Sequence, residues 1–211
     1  PRMKTLRIRG CDIAYEIDGS GDEAILFLNG VAMTIGHWSA MTDRMSGSFR
    51  CLRHDFRGQL MSGKPSDGYS LESHAQDVKA LMDHLGIGKA HIIGTSYGAE
   101  IAMILGCEHP EACRSLTLID GVSELDPVLE FAVASWQAAA AADPVVFLKT
   151  ILPWNYSPAF LEANRQAFKA REEAMRKLPP EYFEAFIRLC DAFLEIDITD
   201  RIRNISCPTL V

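Results

Sequence analysis

The chain has 211 residues, with 21 Lys and Arg against 28 Asp and Glu, a formal net charge of −7, and 48% hydrophobic residues. This hydrophobic fraction excludes a disordered chain, and the length suits one domain or one domain with an insertion. The acidic balance argues against nucleic acid or an anionic membrane as a partner.

No apolar stretch has the length of a signal peptide or of a membrane span, so the sequence predicts a cytoplasmic protein without a membrane partner. The six cysteines are scattered and form no C-x-x-C pair. This spacing predicts free thiols in a reducing compartment and no zinc site.

Strands and helices are predicted to alternate through the first part of the chain. The strands are expected at residues 5–9, 12–17, 24–28, 49–55, 90–93 and 115–119, and the helices at 37–45, 71–85 and 97–109. The run Ala24–Leu28 is apolar at every position, which is typical of a strand buried on both faces of a parallel sheet. Alternation of this kind predicts βαβ units, and therefore a parallel sheet with helices on both faces.

The pattern changes after Gly121, because residues 125–203 contain no convincing strand and at least four helical stretches. Three helix starts are marked by prolines, in the pairs Asp143-Pro144, Ser157-Pro158 and Pro179-Pro180. We expect this block to be an insertion that covers the functional edge of the sheet. Residues 208–211 are expected to open a further strand.

The segment Gly94-Thr-Ser96-Tyr-Gly98 matches the G-x-S-x-G pattern of a nucleophile elbow. A predicted strand runs into it and a predicted helix runs out of it, which is the context that the elbow requires. Such a turn exposes the serine hydroxyl, and the positive end of the following helix favours negative charge that develops nearby. Ser96 is therefore the predicted catalytic nucleophile. The alternative is an ordinary glycine-flanked turn between a strand and a helix.

A second loop supports this interpretation. Gly30 and Val31 follow the buried strand Ala24–Leu28 and supply backbone N–H groups beside the elbow. An acyl-transfer site needs two preorganised donors for its oxyanion, one from the residue after the nucleophile and one from this loop. The predicted donors are the amides of Tyr97 and Val31.

Five segments of the chain resemble landmarks of one known family: LFLNG, HDFRGQLMSGKP, HIIGTSYGAE, ACRSLTLIDG and ISCPTLV. The family is the α/β-hydrolase fold superfamily, and the helical block is similar to the cap domain of its cap-bearing members. Within it, the chain is most similar to the cofactor-free serine hydrolases of the 3-oxoadipate enol-lactonase-like group. Two positions depart from the family pattern, since the chain has Asn29 where the family has histidine and Leu60 where it has glycine.

The resemblance implies an α/β fold with a mostly parallel, doubly wound sheet and an inserted helical cap. It assigns residues 1–121 to the core, 122–203 to the cap and 204–211 to the start of the returning core strand. It implies hydrolysis of an ester, lactone or related acyl bond of a small to medium apolar substrate through an acyl-Ser96 intermediate, with no cofactor and no metal. It also implies that Asp55 and Arg57 fix a loop rather than take part in catalysis.

The base for Ser96 is missing from the place where the family has it. The family order is nucleophile, acid, histidine, whereas all six histidines lie at or before the helix that follows Ser96. The resemblance places the acid and the base beyond residue 211. The C-terminal strands and helices are therefore expected to be missing, and the 211-residue chain alone to be inactive. Asp120 or Glu124 is an alternative acid, His37 is the histidine expected nearest the pocket, and His74 and His84 are expected on a surface helix.

Aromatic residues are expected to make an apolar pocket over the elbow, and its predicted lining includes Trp38, Trp136 and Trp154. Two other interpretations stay open: a ligand-binding relative that keeps the fold without turnover, or a fragment that needs a partner to complete its sheet. Relatives that process epoxides or halides carry an aspartate nucleophile. The serine of this elbow argues against that chemistry.

Overall fold

The computed structural model describes residues 3–211 and contains one seven-stranded sheet. The strands are β1 Lys4–Ile8, β2 Cys11–Asp18, β3 Ala24–Leu28, β4 Arg50–His54, β5 Ala90–Thr95, β6 Cys113–Ile119 and β7 Thr209–Leu210. Their order across the sheet is β1-β2-β4-β3-β5-β6-β7. The pairs β1–β2 and β2–β4 are antiparallel and the remaining pairs are parallel. The predicted α/β class with a mostly parallel sheet is confirmed.

Strand β3 lies in the middle of the sheet and is buried at all five positions. Successive side chains of a strand point to opposite faces, so its residues divide between two apolar clusters. Ile25 and Phe27 pack in a small cluster with Trp38, whereas Leu26 and Leu28 belong to the main core on the other face. This division explains why the sequence of β3 is apolar throughout.

Eight α-helices accompany the sheet in the described part of the chain. They are α1 Ser39–Met45, α2 Leu71–His84, α3 Tyr97–Glu108, α4 Pro127–Ala142, α5 Pro144–Asn155, α6 Pro158–Ala163, α7 Arg165–Met175 and α8 Pro180–Leu194. Short 3-10 turns occur at Ile35–Trp38, Pro110–Ala112 and Ile202–Asn204. The last five α-helices follow β6 and form the helical block that the sequence predicts.

The helix starts follow from local capping chemistry. Asp126 and Asp143 each accept hydrogen bonds from two backbone amides in the first turns of α4 and α5, and a proline occupies the position after each of them. The hydroxyl of Ser70 accepts a hydrogen bond from the amide of Ser73 and begins α2. The starts at Ser70 and Asp143 agree with the predicted ones, whereas the start at Asp126 was not predicted. The predicted helix at 37–45 is shorter than expected, because its first residues form the 3-10 turn Ile35–Trp38.

Helix α2 has an exposed outer face, as expected of a surface helix, but His74 lies on its inner face and is fully buried, which the sequence did not show. All six cysteines are free thiols. Within residues 3–211, no helix is both long and apolar enough to cross a membrane, and no cluster of side chains could hold a metal ion.

Candidate active site

Ser96 occupies a strained turn between β5 and α3. Its φ of 49° and ψ of −124° lie in a region that residues with a side chain rarely adopt, at a cost of about 1–3 kcal/mol. The amide of Ser96 donates to the carbonyl oxygen of Ile119 at 2.9 Å, and its carbonyl oxygen accepts from the amide of Ala99 at 2.6 Å. The strained backbone is therefore held from both sides, and Ser96 lines a cavity.

Two glycines of the elbow let main-chain segments meet without an intervening side chain. A Cβ atom at Gly94 would overlap the backbone of Gly98, the second residue of α3. A Cβ atom at Gly98 would in turn overlap the carbonyl group of Leu28 at the end of β3. Glycine is required at both positions for this reason, and the contact brings the elbow against the loop that follows β3.

The two predicted oxyanion donors, Val31 and Tyr97, line the same cavity as Ser96. Tyr97 is the first residue of α3, so its amide has no acceptor within the helix. Its ring is 1% exposed and lies 5.4 Å from that of His74 and 6.2 Å from that of Phe193, centroid to centroid. A buried ring of this kind fixes the backbone to which the amide belongs.

The loop that carries Gly30 and Val31 is anchored by a buried polar network around Asn29. The Asn29 side-chain amide donates to the backbone oxygen of His54 and to the side chains of Asp55 and Gln59, at 2.9–3.1 Å. Gln59 donates in turn to the carbonyl oxygen of Gly30 at 2.8 Å. Asn29 thus holds the loop through several bonds at the position where the resembled family has histidine.

Trp38 belongs to this network and not to the cavity wall. Its indole N–H donates to Asn29 Oδ1 at 2.8 Å, and its ring packs 5.1 Å from that of Phe27. The residue is 5% exposed and lies in the small apolar cluster on the far side of β3. Its position in the sequence, next to His37, did not show that the side chain turns away from the elbow.

The segments around Asp55 and Arg57 are held by further charged contacts. Asp55 accepts hydrogen bonds from the amides of Ile35 and Met61 and from the hydroxyl of Thr34, at 2.8–3.0 Å. Burial raises the pKa of Asp55, and these hydrogen bonds oppose that shift. Arg57 makes a two-pronged ion pair with Asp77 at 2.6 and 2.9 Å. These contacts fit the loop-fixing role that the resemblance implies.

Asp120 lies directly beside the elbow and has a positive φ of 47°. Its Oδ1 accepts from the hydroxyl of Thr95 at 2.8 Å and from the amide of Ser96 at 3.0 Å, and the residue lines the cavity. The following loop is tied to α3, because the amide of Val122 donates to Glu100 Oε1 at 2.8 Å. Burial raises the pKa of Glu100 to about 8, and the hydrogen bond from Val122 opposes that shift.

Only one histidine of the described chain, His37, lines the cavity. Its Nδ1 lies 3.1 Å from the amide nitrogen and 3.3 Å from the carbonyl oxygen of Thr34, so the backbone of Thr34 occupies this nitrogen in either tautomer of the ring. Burial lowers the pKa of His37, and the charge of Arg171 lowers it further. His54 and His74 are buried without a hydrogen-bond partner, and burial lowers their pKa values to about 4 and about 3.

The cavity has a volume of about 380 Å³, and both the sheet edge and the helical block contribute to its wall. The block supplies apolar side chains, among them Leu129, Val133, Leu148, Ile151 and Leu152. Trp136 and Trp154 also line it, with their rings edge to face at 5.9 Å. Three polar side chains of the block reach the cavity as well, namely those of Asn155, Tyr156 and Arg171. The sequence contains no signal for Arg171, which is one of several charged residues on a polar helix.

Comparison with known proteins agrees with this architecture. A family model described as the alpha/beta hydrolase fold matches residues 23–150. The "Putative carbamate hydrolase RutD" of Azorhizobium caulinodans is 27% identical over 95% of this chain and 75% of its own length. The 3-oxoadipate enol-lactonase 2 of Acinetobacter baylyi is 24% identical over 98% of this chain and 76% of its own.

Among solved structures, an alpha/beta hydrolase enzyme, MGS-M2, from a Medee basin deep-sea metagenome library superposes with a TM-score of 0.90. It is 28% identical, and the match covers 98% of this chain and 77% of that one. The likeness therefore extends through the sheet and the helical block.

Proposed function

Since the chain belongs to the α/β-hydrolase family, and its relatives are hydrolases, we propose that it is a serine hydrolase that cleaves an ester, lactone or related acyl bond through an acyl-Ser96 intermediate. One observation carries this proposal: Ser96 is held at a φ of 49° between β5 and α3, with its side chain at the cavity. Strain of this kind persists only where the surroundings enforce it, and it is concentrated at functional sites.

The proposed reaction has two halves. Ser96 Oγ attacks the carbonyl carbon while a base takes the hydroxyl proton, and the tetrahedral oxyanion accepts hydrogen bonds from the amides of Val31 and Tyr97. The intermediate collapses to the acyl-serine, and the leaving alcohol receives the proton. Water then repeats the sequence and releases a carboxylic acid and free Ser96. The glycines at 30, 94 and 98 serve to place the two donor amides.

We assign the acid and the histidine base to residues outside 1–211. His37 is a poor candidate for the base because the backbone of Thr34 occupies its Nδ1, the nitrogen that an orienting carboxylate would engage. His54 and His74 are enclosed in the core. Asp120 is the alternative acid, since its carboxylate contacts the elbow. Helices α4–α8, within residues 122–203, act as the cap that selects the acyl group.

The decisive experiment is active-site labelling of the natural protein that carries this sequence. A fluorophosphonate probe should label wild type at Ser96, and Ser96→Ala should abolish both labelling and hydrolysis of 4-nitrophenyl esters, a loss of at least about 10³-fold in kcat/KM. Ser48→Ala is the matched control, because Ser48 lies in an exposed turn, and it should keep both signals. A wild-type protein that is folded but neither labelled nor active would overturn the proposal and favour a ligand-binding protein.

A further inference from the structure

Glu100 carries a carboxyl group that is buried near the start of α3, one turn beyond the nucleophile. The residue is 0% exposed. Its Oε1 accepts a hydrogen bond from the amide of Val122 at 2.8 Å, whereas its Oε2 is buried and has no hydrogen-bond partner within residues 3–211. No cation of this part of the chain forms an ion pair with it. An unpaired polar atom in the core costs stability, and an apolar side chain of similar size would avoid that cost.

The other two buried carboxylates of the described chain are fully engaged. Asp77 makes a two-pronged ion pair with Arg57, at 2.6 and 2.9 Å. Both carboxylate oxygens of Asp55 accept hydrogen bonds from backbone amides. Glu100 is the exception among the three. Buried groups that break the general rule of pairing are concentrated at functional sites, so the surroundings of Glu100 matter.

The hydrogen bond from Val122 holds the segment 120–122, which connects β6 to the helical block, against α3. The middle residue of this connecting segment, Gly121, lies so close to the helix that a Cβ atom there would be 2.8 Å from the Cβ atom of Ala99. Val122 itself lines the cavity, as Ser96 does. Glu100 therefore fixes the point at which the chain leaves the sheet for the block.

The connecting segment also restrains the strained turn at the nucleophile. Asp120 Oδ1 accepts hydrogen bonds from the amide of Ser96 at 3.0 Å and from the hydroxyl of Thr95 at 2.8 Å. Asp120 and Ser96 both have a positive φ, of 47° and 49°, which residues with a side chain rarely adopt. Such conformations persist only where the surroundings impose them. The bond to Glu100, two residues beyond Asp120, is one of the contacts that impose them.

We propose that Glu100 is a positioning residue for hydrolysis: its buried carboxyl group holds the connecting segment on α3, so that Asp120 keeps Ser96 in the conformation from which its hydroxyl attacks. The amide of Val122 needs an acceptor at this place, which an apolar side chain cannot supply. This need explains why a carboxyl group is kept in the core. The assignment rests on the proposed serine hydrolase function.

The charge state of Glu100 should affect this role. Burial, and to a smaller extent the charge of Asp120, raise the pKa of Glu100 to about 8. The ionisable groups that act on it are Asp120, on the connecting segment, and Tyr97, on α3 itself. Since neither is a cation, ionisation of Glu100 adds a second negative charge beside Asp120 without compensation. We therefore expect the connecting segment to loosen as the pH rises above 8.

Two substitutions separate the carboxyl oxygen from the volume of the side chain. In the natural protein that carries this sequence, Glu100→Met removes the acceptor and should lower kcat for 4-nitrophenyl butyrate about 10-fold, with little change in KM. Glu100→Gln keeps an acceptor and should retain most of kcat at pH 7. It should also lack the fall in kcat that wild type shows above pH 8. Glu108→Gln, the same change two turns further along α3, is the control and should keep the wild-type kcat and pH profile.

Hydrogen exchange separates this assignment from the hydrolase function. In the Ser96→Ala protein, the amide of Val122 should exchange about 10-fold faster after Glu100→Met and at an unchanged rate after Glu100→Gln. This result in a protein that cleaves no ester would retain the role of Glu100 in holding the connecting segment and reject the serine hydrolase function. Unchanged exchange after Glu100→Met, or an active enzyme whose kcat survives Glu100→Met, would overturn the role of Glu100.

Discussion

The sheet region and the helical block are built from different residues and by different means. All 15 glycines and all six histidines lie in residues 1–121, and residues 122–211 contain neither. Around the sheet edge, positive φ angles and direct backbone contacts hold the loops, with a buried polar network between them. The block is held by proline-started helices and by aromatic contacts such as Phe147–Phe186, at 4.5 Å. The proposed chemistry thus sits on fixed main chain, and the proposed selectivity on side chains.

The largest expected effect is a loss of stability when a methyl group is added at Gly98, where two main-chain segments meet. Gly98→Ala should destabilise the protein by at least about 3 kcal/mol or prevent folding, because the new Cβ would overlap the carbonyl of Leu28, which cannot move aside as a side chain can. Gly88→Ala is the control, since a Cβ atom there would meet nothing within 4 Å. Chemical denaturation measures both. Equal stability of the two variants would mean that the elbow is not held by this contact.

Acid should weaken the sheet region through its buried histidines. The folded-state pKa of His74 is about 3, against an ordinary 6.5, so between these values the unfolded chain binds a proton that the folded chain does not. The contribution of neutral His74 to the free energy of unfolding is complete above pH 6.5. It is lost as the pH falls, by about 1 kcal/mol per pH unit. Glu100 has the opposite effect. Its pKa is raised from 4.5 to about 8, so between these values the folded chain binds a proton that the unfolded chain does not, and a falling pH adds stability.

A variant isolates the histidine. His74→Phe keeps an aromatic ring among Phe56, Tyr69 and Tyr97 but cannot be protonated. Urea unfolding at pH 6 and at pH 5 should show a smaller loss for His74→Phe than for wild type, by about 1 kcal/mol, because Glu100 contributes equally to both proteins. Identical pH dependence would mean that His74 is hydrated or paired in solution.

The smallest expected effect is a gain in stability at the nucleophile. Ser96→Gly should raise the free energy of unfolding by about 1 kcal/mol, because glycine adopts a φ of 49° without strain while losing more entropy on folding. Ser96→Ala keeps the Cβ atom and serves as the matched comparison, with no such gain. If both variants are equally stable in chemical denaturation, the strain at Ser96 is smaller than the backbone angles indicate.

The elements with local signals were predictable from the sequence. The elbow has glycines at fixed offsets from Ser96, and the prolines at 144, 158 and 180 mark helix starts. The apolar run Ala24–Leu28 indicates a strand that is buried on both faces of the sheet. In each case the residues that determine the local backbone structure lie within a few positions of it in the sequence. Capping, helix termination and close backbone approach act over that range.

The positions that were missed depend on distant contacts. His74 is buried because the rings of Phe56 and Tyr97 come to it from other segments, and Trp38 turns away because Asn29 offers an acceptor. Arg171 reaches the cavity wall only because α7 packs against α5 and α6 in the folded block. No periodicity or motif records which side chain meets a cavity after folding.

Because no side chain lies between Gly98 and the end of β3, a direct contact between main-chain atoms helps to set the spacing of the two proposed donor amides. Exchange of cap side chains can then change which acyl compounds fit without displacing those donors. A lineage that keeps this main-chain contact can therefore acquire new substrates through single substitutions in the helical block. Intermediates along such a path keep a working catalyst, which helps a single fold to diversify.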